Sequence, residues 1–125
     1  PLDQAWSCFR TYFRGGQQWS SNLEDIAYHF RLENELLERW QDILGDRLLV
    51  VPFEEMVGNF EGWMGRIAAH CGLDPEPGMF APHENDRSVT TASVMQVRQP
   101  VNRAGIGSSE PYREFLSPFV EAYGY

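Results

Sequence analysis

The chain has 125 residues, 42% of them hydrophobic and 14% aromatic, with a formal net charge of −8. This composition supplies one hydrophobic core, enough for a domain or a large piece of one, and excludes a disordered tail. The acidic total excludes the broad basic surface that non-specific nucleic-acid binding requires, and no apolar run approaches the ~18 residues of a membrane span. The chain opens on Pro1-Leu2-Asp3 without Met, which reads as a segment of something longer.

Residues 3–14 read as a helix. Asp3 stands as its N-cap, and Ala5, Cys8, Phe9, Tyr12 and Phe13 recur at helical spacing. Gly15-Gly16 stops it, and a polar loop follows over 17–22. The spacing predicts a long helix over 23–44, opened by a capping box of Ser21 with Glu24. Its apolar stripe is Leu23, Ile26, Ala27, Phe30, Leu37, Trp40 and Leu44, with Glu33, Glu35, Glu38 and Arg39 mainly off it. Residues 48–53, Leu-Leu-Val-Val-Pro-Phe, are a short continuous apolar run. Such a run predicts a strand buried on both faces, as in a parallel sheet, ending at Pro52. A helical turn at 53–57 and a helix at about 60–71 follow. Residues 73–82 carry three prolines and form a turn-rich connection. Residues 83–109 are mostly irregular, and 110–123 predict a last helix, broken near Ser117-Pro118.

The polar residues are unevenly placed. Residues 87–103 hold four hydroxyls and three arginines and no carboxylate, in an otherwise acidic chain. Two readings stand at this point: a polar surface loop, or a segment that holds an anion. Hydroxyl and guanidinium groups suit phosphate or sulfate because they donate several hydrogen bonds in fixed geometry. All ten basic residues are Arg, which reflects codon usage or favours flat contacts with oxyanions. A second anion signal lies at the start. Ser7 is either a small residue facing solvent or packed on a neighbour, or a donor near the first turn of the opening helix, where unpaired N–H groups and the helix dipole favour anions; Arg10 is three residues on. Phe53, at the end of the predicted strand, is either ordinary core or a surface for stacking a nucleobase.

Other chemistry finds no support. His29, His70 and His83 show no metal-ligand spacing with one another or with the cysteines. Glu33, Glu35, Glu54 and Glu55 look like solvated faces rather than a catalytic carboxylate pair. There is no nucleophile elbow. Cys8 and Cys71 fall on apolar faces of predicted helices, as buried free thiols or as one disulfide.

Taken in order, these segments resemble the 3′-phosphoadenosine-5′-phosphosulfate (PAPS) dependent sulfotransferases. The nearest resemblance is to the bacterial tetratricopeptide-type branch, related to protein-tyrosine sulfotransferases. Pro1-Leu2-Asp3-Gln4-Ala5-Trp6-Ser7-Cys8-Phe9-Arg10 is similar to the tail of that family's 3′-phosphate motif, with Ser7 as its Ser. Leu23-Glu24-Asp25-Ile26-Ala27 and Trp40 resemble the following long helix. Val50-Val51-Pro52-Phe53-Glu54-Glu55-Met56-Val57 resembles the family's strand ending in a Tyr-Glu-x-Leu/Met pattern. Thr91 to Asn102 is similar to the segment that closes over the nucleotide.

The resemblance implies an α/β fold of the P-loop-kinase type. Residues 1–125 would be a mostly helical C-terminal portion of a single sulfotransferase domain, with one clear parallel-sheet strand. It implies transfer of a sulfuryl group from PAPS to a hydroxyl or amine acceptor by a longer chain. This segment would hold the nucleotide through Ser7, Arg10, Phe53, Ser93, Arg98 and Arg103. It would contain no catalytic residue and no metal. The partners implied are a small anionic nucleotide, PAPS or its product PAP, and a sulfate acceptor that the sequence does not name.

Two departures from the family pattern stand in this chain. Phe53 replaces the usual Tyr near the adenine, and Ser108-Ser109 replaces a basic residue and Trp after Gly107. They carry the alternative reading, a non-catalytic sulfotransferase-like interaction or nucleotide-sensing module. With no leader pattern and no membrane span, the expected location is the cytoplasm.

Overall fold

The computed structural model describes residues 1–13, 15–86, 88–89 and 95–125. Its backbone divides into two compact units, Pro1–Gly45 with Ala104–Tyr125, and Asp46–Arg103.

The first unit rests on three helices. Helix α1, Leu2–Arg10, buries Leu2 and Ala5. It is shorter than the sequence pattern predicts. Thr11 turns out of the helix, with φ −93° and ψ 121°, while its hydroxyl donates back to the Ser7 carbonyl at 2.6 Å. Helix α2, Leu23–Leu44, has the predicted bounds but a different cap. The Asn22 side chain accepts from the Asp25 N–H at 2.9 Å. Ser21 instead closes the preceding 3₁₀ turn by donating to the Gln18 carbonyl at 2.7 Å. The last predicted helix is indeed broken, into a 3₁₀ segment Glu110–Leu116 and a helix Ser117–Tyr123.

Leu2, Ala5, Leu23, Ile26, Ala27, Phe30, Leu116 and Phe119 form the core of this unit. The Phe30 and Phe119 rings meet edge to face at 5.8 Å, and Phe119 stacks on Tyr123 at 5.1 Å. Polar groups lock the same contact, with the Arg31 guanidinium donating to the Ala122 carbonyl and Asn34 Nδ2 donating to the Tyr123 hydroxyl at 2.6 Å. Only the first two turns of the predicted α2 stripe are fully covered. Leu37 and Leu44 are half-buried and Trp40 is exposed.

The second unit holds α3, Phe53–Gly58, α4, Phe60–His70, and the short α5, Pro77–Phe80. The closing helix of the first unit, Ser117–Tyr123, is therefore α6. Asn59 caps α4 by accepting from the Gly62 N–H at 3.2 Å. Trp63 and Ala68 are its buried residues. The Arg66 guanidinium lies 3.9 Å from the centroid of the Trp63 ring, and His70 Nε2 donates to the Arg47 carbonyl at 3.2 Å.

The expected α/β class does not hold. Every regular element among the described residues is helical, and none is a strand. Residues 48–52 have no regular structure, and Phe53 already begins α3. A strand exists through hydrogen bonds to a neighbouring strand, and the described residues offer no second such segment. The run is not enclosed on two faces either. Leu48, Leu49 and Val51 are half-buried and Val50 is exposed. Apolar composition identified a segment that avoids water; it did not supply the partner that a sheet requires.

The packing gives a direct expectation. Phe119→Ala removes a ring with no exposed surface and should cost about 3–5 kcal/mol in chemical denaturation. Tyr12→Ala, at a side chain 88% exposed, should stay within about 0.5 kcal/mol. Similar losses in both variants would contradict this placement of the core.

Candidate functional site

The site begins at the first turn of α1. Asp3 lies inside the helix, one turn earlier than Ser7, and not at the N-cap, which is Pro1. Its carboxylate is held by the loop at 107–109. Oδ2 accepts the Gly107 N–H at 2.8 Å. Oδ1 accepts the Ser109 N–H at 2.8 Å and the Ser109 hydroxyl at 2.7 Å, with the Ser108 hydroxyl at 3.4 Å. Gly107 has φ +76°, a left-handed conformation that suits glycine and turns neighbouring N–H groups toward one hollow. Burial works to raise the carboxyl's pKa, but the bonds from Ser109, Gly107 and Ser108 together outweigh it and hold it below the usual value of 3.8. A carboxylate in the first turn also suits the positive end of the helix dipole.

Ser7 and Arg10 are both exposed on α1, three residues apart and so on neighbouring positions of one side. The Arg10 guanidinium is 5.9 Å from the Trp6 ring centroid. Trp6 in turn stacks on Tyr112 at 4.1 Å, with planes 24° apart. Beyond the end of α1 is an open cleft of about 470 Å³, lined by Phe9, Arg10, Tyr12 and the Gly15-Gly16 turn among others. Arg10 thus borders a concave surface that mixes aromatic rings with amides and hydroxyls. Ser7 lies a turn beyond the first N–H groups of the helix, and the carboxylate on that first turn is the chain's own.

The other predicted residues belong to the second unit. Phe53 opens α3 and is 48% exposed, so its ring is presented rather than packed. Arg98 ends a 3₁₀ turn, Gln96–Arg98, and donates to the Asn85 carbonyl. Arg103 is exposed at the end of the unit. Ser93, like Arg87 and the rest of 90–94, lies outside the described residues. The structure therefore places Ser7 with Arg10 on one helix, and ties Arg98 to the loop at Asn85. Among the described residues, no group of three or more His, Cys, Asp or Glu is arranged to hold a metal ion.

Both cysteines are free. Cys8 is half-buried, and burial, with the Glu33 charge adding to it, pushes its thiol pKa up. Cys71 is exposed at the end of α4. The sequence pattern had put it on a buried face, but the chain leaves the helix there.

Sequence reasoning missed the Asp3 clamp and the Trp6–Tyr112 stack. Each pairs residues about a hundred positions apart. The Gly107-Ser108-Ser109 run is rich in donors, but nothing in the local sequence names their acceptor.

With this geometry in view, comparison with known proteins places the chain in a family. The model of the sulfotransferase family matches residues 1–77, well over half of the chain. The chain belongs to the sulfotransferase family. The matched span contains Ser7, Arg10 and Phe53; Ser93, Arg98 and Arg103 lie beyond it. An uncharacterized protein of Aquifex aeolicus (strain VF5) is 22% identical over 123 residues, covering 96% of this chain and 16% of its own length. The chain thus spans about a sixth of that relative. No solved structure matches the chain.

Two outcomes follow from the site's electrostatics. The folded-state pKa of Asp3 is depressed, so its contribution to stability is full above the unfolded value of 3.8 and is lost as pH falls through the folded value. Denaturant titrations at successive pH values should show that loss below about pH 4, and Asp3→Asn should remove it. An identical acid profile in the variant would contradict the clamp. Separately, iodoacetamide at neutral pH should label Cys71 well before Cys8, because exposure and thiolate fraction set the rate; the reverse order by peptide mass would contradict the burial described.

Proposed function

We propose that this chain is the nucleotide-holding, C-terminal portion of a single PAPS-dependent sulfotransferase domain, of the tetratricopeptide type related to protein-tyrosine sulfotransferases. The observation that carries the reading is membership of the sulfotransferase family through residues 1–77. In this reading Ser7 and Arg10 meet the 3′-phosphate of PAPS or PAP. Phe53 stacks on the adenine, and Ser93, Arg98 and Arg103 donate to the other side of the nucleotide. The exposure of Ser7, Arg10, Phe53, Arg98 and Arg103 is compatible with such roles. Hydroxyl and guanidinium donors match a phosphate's several acceptor oxygens.

The reaction would move a sulfuryl group from the phosphosulfate to a hydroxyl or amine, releasing PAP. Its rate would depend on in-line positioning and on groups that stabilise charge on the transferring group. Those groups, and the base for the acceptor, are assigned to polypeptide outside this chain. The proposed setting is the cytoplasm; among the described residues no helix is long and apolar enough to cross a membrane.

Two observations favour a second reading, the non-catalytic nucleotide-sensing or interaction module. The Gly107–Ser109 donors are engaged by Asp3, and Phe53 has no hydroxyl to offer the adenine. The two readings part on turnover. The enzyme and a nucleotide-sensing module both expect PAP to bind; only the enzyme reading expects sulfuryl transfer by the intact polypeptide.

Calorimetric titration with PAP tests the site. Ser93→Ala and Arg98→Ala should each weaken binding by roughly tenfold, the effect of losing one charge-assisted hydrogen bond. Unchanged affinity in both variants would contradict the placement of the nucleotide.

A further inference from the structure

Asp3, Ser7 and Arg10 stand at positions i, i+4 and i+7 of α1. At 100° per residue, they fall within about 60° of one another around the helix axis. A group that fixes the direction of Asp3 therefore also fixes the directions of Ser7 and Arg10. The loop at 107–109 does this from outside the helix, with two backbone N–H groups and the Ser109 hydroxyl at 2.7–2.8 Å.

The donors need an anion or another strong acceptor. Ser109 is only 2% exposed, so water has little access to its N–H and hydroxyl, and buried donors left without a partner are costly. Asp3 is the only carboxylate on α1. The neighbouring charges on the 3₁₀ segment, Glu110 and Arg113, pair with each other at 3.2 Å.

We propose that Asp3 is a positioning residue: its carboxylate is an internal anion that fills the 107–109 cradle and thereby sets the rotation of α1 that presents Ser7 and Arg10. The positioning role rests on the nucleotide reading given above. The cradle itself does not, which allows the two to be tested apart.

The experiment replaces the internal anion with an added one. Asp3→Ala leaves the cradle donors in place and removes the carboxylate. Thermal unfolding and PAP titration are run in sodium formate and in sodium chloride of equal ionic strength. In chloride, the Ala variant should melt lower than wild type and bind PAP roughly tenfold more weakly. Formate should restore both, while wild type responds equally to the two salts. Asp3→Asn keeps one acceptor oxygen, and should bind PAP with intermediate affinity and no preference for formate; it also serves if the Ala variant does not fold.

Wild-type PAP affinity in Asp3→Ala would overturn the positioning role. An equal response of that variant to formate and chloride would overturn the anion cradle. Failure of wild type to bind PAP would remove the nucleotide reading and the positioning role together, while the formate arm would still decide the cradle on melting temperature alone.

Discussion

A carboxylate three residues into the chain is gripped by donors 104 and 106 positions further on. This contact closes the first unit. Residues 46–103, between the unit's two segments, form a unit of their own. The return segment must then be captured by something specific, because ordering a long loop costs chain entropy that only new contacts can offset. Hydrophobic burial supplies most of the drive through Leu116 and Phe119. Burial of Leu2 and Ala5 selects the face of α1 that meets the core. The Asp3 clamp proposed above would fix that orientation more narrowly, because charge-assisted hydrogen bonds have fixed distances and directions.

The same clamp alters how an anion site on this helix must be understood. The opening turn of a helix attracts negative charge, and here the chain has placed its own carboxylate on that turn. In the nucleotide reading proposed above, an added phosphate would meet Ser7 and Arg10 further along, beside a carboxylate that repels it but whose charge is already shared among several donors. An acidic chain that carries only Arg as its basic residue gains from local donors of fixed geometry more than from its overall field.

Much of the helical pattern was legible in the sequence. The bounds of α2 and the break near Ser117-Pro118 follow from periodicity and from residues with strong backbone preferences, whereas α1 ends at Arg10, short of the stop expected at Gly15-Gly16. The strand at 48–53 was not real, because an apolar run states only a wish to avoid water, and pairing needs a second segment. Caps were legible in kind rather than in position: Asn22 took the place expected of Ser21. Family membership was legible from the ordered resemblances along the chain, of which those within residues 1–77 fall in the matched span. The Asp3 clamp, the Trp6–Tyr112 stack and the exposure of Cys71 were not, since each depends on what folding brings near or leaves bare.

The most direct test of this account is a double-mutant cycle between Asp3 and Ser109, read as unfolding free energy at neutral pH. Asp3→Ala, Ser109→Ala and the double variant remove the carboxylate, the buried hydroxyl, or both. Direct bonding predicts that the double variant loses less than the sum of the single losses, with a coupling of about 1 kcal/mol or more. Additive losses would mean that the Asp3 carboxylate and the Ser109 hydroxyl act independently, and would contradict the direct bond between them.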